Sequence, residues 1–152
     1  MKKLSKEEMD KLLITVGDGV LALSDGDTPY CIPFGFIYLH GKIYLSLFPM
    51  GRKWDMLEKN KKVCFNVFSW NNDHSEWASV IVEGTLEQTK DLKEIEMVVK
   101  ANMEKVGLDP STYLEKRMAY YKKSMDNPNA VKIFWIEVSN MDGRKMPTVI
   151  GQ

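Results

Sequence analysis

Apolar residues recur along the chain with two different spacings, and the spacing changes near Gly17. Up to that point they lie three and four positions apart, which predicts an amphipathic helix that begins at a capping box of Ser5 and Glu8. Beyond Gly17, short apolar or alternating runs are separated by turn residues such as Gly, Asp and Asn. The pattern predicts one helix followed by a series of β-strands.

The strand-like runs are rich in β-branched and aromatic residues, and short turns join most of them. Strands joined by short turns are antiparallel, and six strands are enough to close a small barrel. Pro33 lies inside the second run and places that strand at an edge or a bulge, while Gly84 predicts a bulge or a close approach in the fifth. The six predicted strands cover residues 19–24, 30–39, 43–47, 63–70, 77–86 and 131–138.

Three more helices interrupt this series of strands. A short one is predicted over residues 52–60, and a pair of helices follows later, with Thr89 capping the first and Asp109 the second. The pair either covers one end of the barrel or forms a wall of a substrate pocket. Residues 140–152 are predicted to be a C-terminal tail. Because the chain shows no repeat and no linker, residues 1–152 are expected to fold as one mainly β domain.

The charges of the chain balance, with 21 Lys and Arg residues against 21 Asp and Glu residues. A neutral chain is not expected to bind nucleic acid or an anionic membrane through its whole surface. Its apolar runs are too short for a membrane span, and its N-terminus lacks the apolar stretch of a signal peptide, so we expect a cytoplasmic protein. Two cysteines and two histidines offer no spacing typical of a metal site.

The clearest candidate for chemistry is the sequence Gly51-Arg52-Lys53, which follows the predicted strand that ends near Ser46. Two cations in the first turn of a helix oppose its dipole unless an anion lies beside them. Arg and Lys side chains suit phosphate oxygens, and the Ser46 hydroxyl could add a further hydrogen bond. The residues indicate an anion site, with an exposed basic turn as the alternative.

Two further segments carry residues that suit a ligand. Pro33 removes a ladder donor and Gly35 permits a close approach, so the stretch around Phe34 could lie against a flat ring; the alternative is an irregular edge strand. Ser79 is a small polar residue in an apolar strand, and the alternative for it is a serine bonded to backbone beside the core. The sequence offers no Ser–His–Asp set and no pair of carboxylates suited to catalysis, so no catalytic residue is assigned.

In the order and spacing of these motifs, the chain resembles the pyridoxamine 5'-phosphate oxidase-like family of FMN-binding split β-barrels, and most of all its nitroimidazole-reductase (Nim) branch. The resemblance implies a six-stranded antiparallel split β-barrel with flanking α-helices, present as a homodimer with FMN at the subunit interface. It also implies an oxidoreductase that passes electrons from NAD(P)H to a small acceptor such as a nitro compound or a quinone. The matching stretches are residues 29–36, 43–46, 51–57 with Asn60, 63–65 and 77–84.

By position, the resemblance assigns the FMN phosphate to Arg52 and Lys53. It assigns the remaining positions to other parts of the cofactor or to its support: Pro33, Phe34 and Gly35 beside the isoalloxazine ring, Leu45 and Ser46 along the ribityl–phosphate arm, Gly51 in the loop before the two cations, and Ser79 and Val80 on a neighbouring strand. The anion that the residues alone leave unnamed is, on this resemblance, the phosphate of FMN.

The chain departs from the Nim branch at Ser46, where that branch commonly has a histidine, so a nitroimidazole substrate does not follow from the resemblance. Three other functions stay open. A split barrel of this type could hold flavin or haem without catalysis, act as an enzyme related to pyridoxamine-phosphate oxidase, or bind a partner through a barrel whose site is empty.

Overall fold

A computed structural model describes residues 1–146. The first helix begins at the predicted capping box, in which Ser5 Oγ accepts the Glu8 N–H and a Glu8 carboxylate oxygen accepts the Ser5 N–H, both at 3.1 Å. The elements in chain order are β1 (Lys2–Lys3), α1 (Lys6–Thr15), β2 (Asp18–Ser24), β3 (Pro29–Gly35), β4 (Ile37–Leu39), β5 (Lys42–Leu47), α2 (Gly51–Lys59), β6 (Lys62–Trp70), β7 (Trp77–Gln88), α3 (Leu92–Lys105), α4 (Pro110–Ser124) and β8 (Lys132–Met146).

The strands form one antiparallel sheet, which curls into a half-barrel with the helices on its flanks. Its order is β3-β2-β6-β7-β8-β5-β4, and β1 pairs with the end of β8. Alternate residues of the central strands point into the barrel, where Leu21, Phe65, Val67, Val80 and Val82 are completely buried. The predicted antiparallel split barrel is confirmed, with eight strands among the described residues instead of six.

The single strand predicted over residues 30–39 is two strands, because the ladder is interrupted at Phe36. The Phe36 N–H donates to the carbonyl oxygen of Gly17 at 3.1 Å, and its buried ring packs edge to face on Phe65. β3 pairs with β2 alone and lies at the edge of the sheet, as Pro33 predicted. The chain then continues into the hairpin of β4 and β5.

The last strand is much longer than predicted. β8 extends to Met146 and pairs with β7 and β1, so the tail predicted from residue 140 is wrong up to Met146, and residues 147–152 lie outside the described part of the chain. The bulge predicted at Gly84 is present and shifts the register between β7 and β8. Of residues 140–146, Gly143 alone is buried. The segment therefore lacks the alternation of apolar and polar residues from which a strand is predicted.

Helices α3 and α4 pack together beside the barrel and form a second apolar cluster with the edge of the sheet. Buried Tyr44 of β5 and Ile133 of β8 meet Val99 and Met103 of α3 and Met118 of α4 in this cluster. The helical pair therefore lies against β5 and β8, on the side of the sheet where the half-barrel ends.

The two helices of this pair begin at aspartate caps. The Asp91 carboxylate accepts the Lys93 N–H at 2.9 Å, so the cap of α3 lies two residues after the predicted cap at Thr89. Asp109 caps α4 as predicted. Among residues 1–146, no helix has both the length and the apolar character that a membrane crossing requires.

Candidate functional site

Helix α2 begins at a junction that differs from an ordinary helix start. Gly51 has a φ of +81°, in the left-handed region where a side chain would be strained, and it turns the chain into the helix. Met50, the residue before the helix, is extended and offers no side-chain hydrogen bond to the first N–H groups. The first turn carries Arg52 and Lys53 and no acidic residue. Unpaired N–H groups and two cations therefore meet at this point.

The other three helices begin with a side chain that caps them. Ser5, Asp91 and Asp109 accept first-turn N–H groups of α1, α3 and α4 respectively. Of the helices that the structure describes, α2 alone lacks such a cap. Its open start is therefore a local feature of this junction and not a general property of the fold.

The two cations at this junction have no carboxylate partner within residues 1–146. The Arg52 guanidinium lies over the Tyr30 ring of β3, 4.8 Å from the ring centre. Lys53 Nζ donates a long hydrogen bond of 3.5 Å to the carbonyl oxygen of Met50. Both side chains can therefore turn their charge towards an external anion.

A cleft of about 250 Å³ lies between the sheet and the helices α3 and α4. Its sheet side includes both edge strands of the half-barrel, β3 and β4, together with β5 and β8. Three of the predicted ligand positions, Phe34, Gly35 and Ser46, line it. The helical pair is therefore a wall of a pocket, which is one of the two roles expected from the sequence.

The charged side chains that line this cleft are positive: Lys105 at the end of α3 and Arg117 on α4. Lys105 Nζ donates to the carbonyl oxygens of Gly17 and Phe36, at 2.6 and 3.0 Å. These bonds tie the end of α3 to the chain just before β2 and to the β3–β4 junction. Arg117 has no ion pair with a carboxylate in the described part of the chain.

Two tyrosines also line the cleft. Burial raises the pKa of Tyr121; neighbouring Tyr120 acts in the same direction, and the Arg117 guanidinium opposes both. Burial, together with the carboxylate of Glu94, raises the pKa of Tyr44 to about 12. Both hydroxyls are therefore protonated at neutral pH and can act as hydrogen-bond donors.

A sequence model of the pyridoxamine 5'-phosphate oxidase family matches residues 5–145, nearly the whole chain. The chain belongs to this family. No curated protein matches the chain in sequence. The family assignment confirms the resemblance that the motifs around Pro33 and Arg52 suggest.

Several solved structures share the fold of this family member. An FAD-binding protein from Mesorhizobium loti is 22% identical with a TM-score of 0.64, and the match covers 95% of each chain. A candidate 5-nitroimidazole antibiotic resistance protein from Bacteroides thetaiotaomicron is 21% identical with a TM-score of 0.68, over 95% of this chain and 87% of that one. An FAD and haem binding protein from Mycobacterium smegmatis is 17% identical with a TM-score of 0.68, over 95% and 73%. At these identities the likeness establishes the fold.

In this pyridoxamine 5'-phosphate oxidase family member, two elements link the start of α2 to the cleft. β3 carries Tyr30, which lies against Arg52, and four residues later Phe34, which lines the cleft. β5 brings Ser46 into the cleft shortly before the loop that leads to α2. Pro33 is exposed on β3 beside these residues. The structure therefore connects the predicted phosphate and ring positions through two continuous segments.

Three predicted positions lie apart from these. The side chains of Leu45 and Val80 point into the barrel core, with 1% and 0% of their surface exposed, so only their backbone could contact a ligand. Ser79 lines a separate cavity of about 300 Å³ on the outer face of β6 and β7. Its hydroxyl accepts a hydrogen bond of 2.7 Å from the side-chain amide of Asn66, and not from backbone as the alternative expected.

Around that second cavity, the outer face of the sheet carries large apolar side chains that we call the outer aromatic surface: Phe68, Trp70, Trp77 and Ile81. Phe68 and Trp70 are 41% and 52% exposed, and their rings pack edge to face. A contiguous apolar surface on a sheet is typical of a contact with another protein.

Three residues that line the cleft, Lys105, Arg117 and Tyr121, were not among the ligand positions predicted from the sequence. The signal they leave in the sequence is weak: Arg117 and Tyr121 lie four positions apart and so share one face of α4. The helical pattern does not show which part of the barrel that face meets, because the contacts join residues far apart in the chain.

Proposed function

We propose that the protein is a flavoprotein that binds FMN and passes electrons from NAD(P)H to a small acceptor such as a nitro compound or a quinone. The observation that carries this proposal is the uncapped start of α2, where Arg52 and Lys53 have no carboxylate partner within residues 1–146. A phosphate group suits such a helix start, because N–H groups and both cations can bind its oxygens. The residues present therefore fit the phosphate end of FMN.

The elements that lead away from this start fit the rest of the cofactor. The exposed Ser46 hydroxyl and the backbone of Leu45 would lie along the ribityl–phosphate arm, on the strand before the Gly51 turn. Residues 33–35 of edge strand β3 would lie beside the isoalloxazine ring. When bound, FMN supplies the redox chemistry, and the chain binds and orients it and limits the access of water.

We also propose that the protein is a cytoplasmic homodimer. A second copy on the outer aromatic surface would remove Phe68 and Trp70 from water. Ser79 lies on this surface and not in the cleft, so it would reach a flavin only across an interface between two copies. The free thiols of Cys31 and Cys64 suit the reducing cytoplasm.

A second candidate is a flavin- or haem-binding protein without turnover. The FAD and haem binding protein of Mycobacterium smegmatis has the same fold, and the geometry of this chain assigns no acid or base. A third candidate, which rests on the description of the family, is an enzyme related to pyridoxamine-phosphate oxidase. Turnover and ligand preference separate these functions.

The visible spectrum of the purified protein and titrations with FMN, FAD, riboflavin and haem test the proposal. We expect flavin absorbance, and an FMN affinity at least about tenfold higher than that for riboflavin, which lacks the phosphate. Sedimentation should give twice the 17.5 kDa mass of the chain, and NADH or NADPH should reduce an artificial acceptor. A protein that gains no flavin absorbance with FMN contradicts the proposal, whereas bound flavin without turnover favours the second candidate.

A further inference from the structure

The charged side chains that line the cleft beneath α3 and α4 are positive, whereas a pocket for a neutral molecule would need no charge. Lys105 and Arg117 line it, and within residues 1–146 no Asp or Glu side chain does. Glu94, which lies beside the Tyr44 hydroxyl, is paired with Lys42 at 3.7 Å. The field inside the cleft therefore favours an anion.

The two cations of the cleft differ in what they already bind. Lys105 uses two of its three donors on the carbonyl oxygens of Gly17 and Phe36, and so fixes the helical wall to the barrel. Arg117 is exposed and has no carboxylate partner among the described residues. Its guanidinium is therefore the group in this cleft that is free to bind an anion.

Arg117 and Tyr121 lie four positions apart on one face of α4, and both line the cleft. The guanidinium and the Tyr121 hydroxyl therefore belong to side chains that border the same space. A planar guanidinium next to a hydroxyl donor suits a carboxylate, which presents two oxygen acceptors in one plane. A phosphate needs more donors, and the start of α2 offers them while no helix start lines this cleft within residues 1–146.

We propose that the cleft binds a small aromatic carboxylate, with its carboxylate group on Arg117 and Tyr121 and its ring near Phe34. A volume of about 250 Å³ has room for one substituted ring and is below the size of most drug-sized pockets. Phe34 and Gly35 also belong to the proposed flavin site, so this ligand would lie beside the flavin ring. Its role as the substrate class of that site rests on the proposed function.

Benzoate and benzamide test this proposal, because they have nearly the same shape and differ in charge. In calorimetric titrations with and without FMN, benzoate should bind at least about tenfold more tightly than benzamide. Arg117→Gln should weaken benzoate binding by about tenfold or more and leave benzamide unchanged, whereas Arg117→Lys should keep part of the affinity. The matched control is Lys116→Gln, an exposed neighbour that does not line the cleft and should bind benzoate like the wild type.

Equal affinities for benzoate and benzamide, or an unchanged benzoate affinity in Arg117→Gln, would overturn the proposal. The comparison of the two ligands on the wild type needs no variant, so the test holds even where Arg117→Gln does not fold. FMN affinity is measured on the same samples. Benzoate binding without FMN binding contradicts the proposed function and supports the carboxylate site. FMN binding without benzoate binding supports the proposed function and contradicts the carboxylate site.

Discussion

Two regions of the molecule hold positive charge without acidic partners in the described residues, and they are built in different ways. At the start of α2, Arg52, Lys53 and the unpaired backbone N–H groups all come from one short segment. In the cleft, Arg117 and Tyr121 of α4 face the two edge strands of the barrel, and no helix start contributes within residues 1–146. One region is defined by local backbone, and the other by side chains that the fold brings together.

This difference implies that the two regions select different anions. Several N–H groups beside two cations suit a phosphate, whose charge and oxygens are spread in three dimensions. One guanidinium that shares a cleft with a tyrosine hydroxyl suits a single planar carboxylate. If the two regions are separate sites, a substitution in one of them should leave the ligand of the other unaffected.

The largest effect is expected from removing both cations at the start of α2. The double variant Arg52→Ala and Lys53→Ala should lower FMN affinity by at least about 100-fold, roughly 3 kcal/mol, because two charge-assisted bonds to the phosphate are lost. Benzoate affinity, measured without FMN in the variant and in the wild type, should not change. Quenching of FMN fluorescence measures the first affinity and calorimetry the second.

The matched control for that double variant is Lys59→Ala with Lys62→Ala, which also removes two exposed cations but at the far end of α2 and the start of β6. Its FMN affinity should equal that of the wild type. A normal FMN affinity in Arg52→Ala and Lys53→Ala refutes the phosphate assignment. Loss of benzoate binding in the same variant would show that the two regions form one site.

The two regions also differ in how far the sequence predicts them. The start of α2 is visible in the sequence because strand, glycine turn and cations follow one another, and each leaves a local signal. The hairpins β2–β3, β4–β5 and β6–β7 are visible for the same reason, since short loops join their strands. In both cases the chain is close in sequence to what it contacts in space.

The cleft, the break at Phe36 and the extension of β8 all depend on contacts between distant segments. Phe36 leaves the ladder because its N–H meets Gly17, and Lys105 reaches the same two residues from the end of α3. No local sequence pattern distinguishes Arg117 from the exposed cations beside it on α4. These features require the three-dimensional fold, in which the helical pair lies against the barrel edge.

A smaller effect is expected at the turn that opens α2. Gly51→Ala places a side chain at a φ of +81°, which should cost about 1–2 kcal/mol in the free energy of unfolding and weaken FMN binding as the first turn shifts. Gly26→Ala is the control, because Gly26 has a φ of +102°, also meets no neighbour within 4 Å and lies in the β2–β3 turn. Urea unfolding should show a loss of stability in both variants, and FMN titration should show weaker binding in Gly51→Ala alone. Equal FMN affinity in the two variants would contradict a role for this turn.

The smallest effect is expected from Lys105, which fixes the wall of the cleft without occupying the proposed carboxylate position. Lys105→Met keeps most of the stem beside Phe36 but removes the bonds to two carbonyl oxygens, so the free energy of unfolding should fall by about 1 kcal/mol. Benzoate affinity should fall by about two- to fivefold, since one of two positive charges is lost, while FMN affinity stays the same. Lys100→Met, on an exposed position of α3 outside the cleft, is the control for removing a charge from this helix. Lys105→Met and Lys100→Met could instead have the same unfolding free energy and the same benzoate affinity. In that case Lys105 does not fix the wall of the cleft, and Arg117 alone supplies the positive charge that binds benzoate.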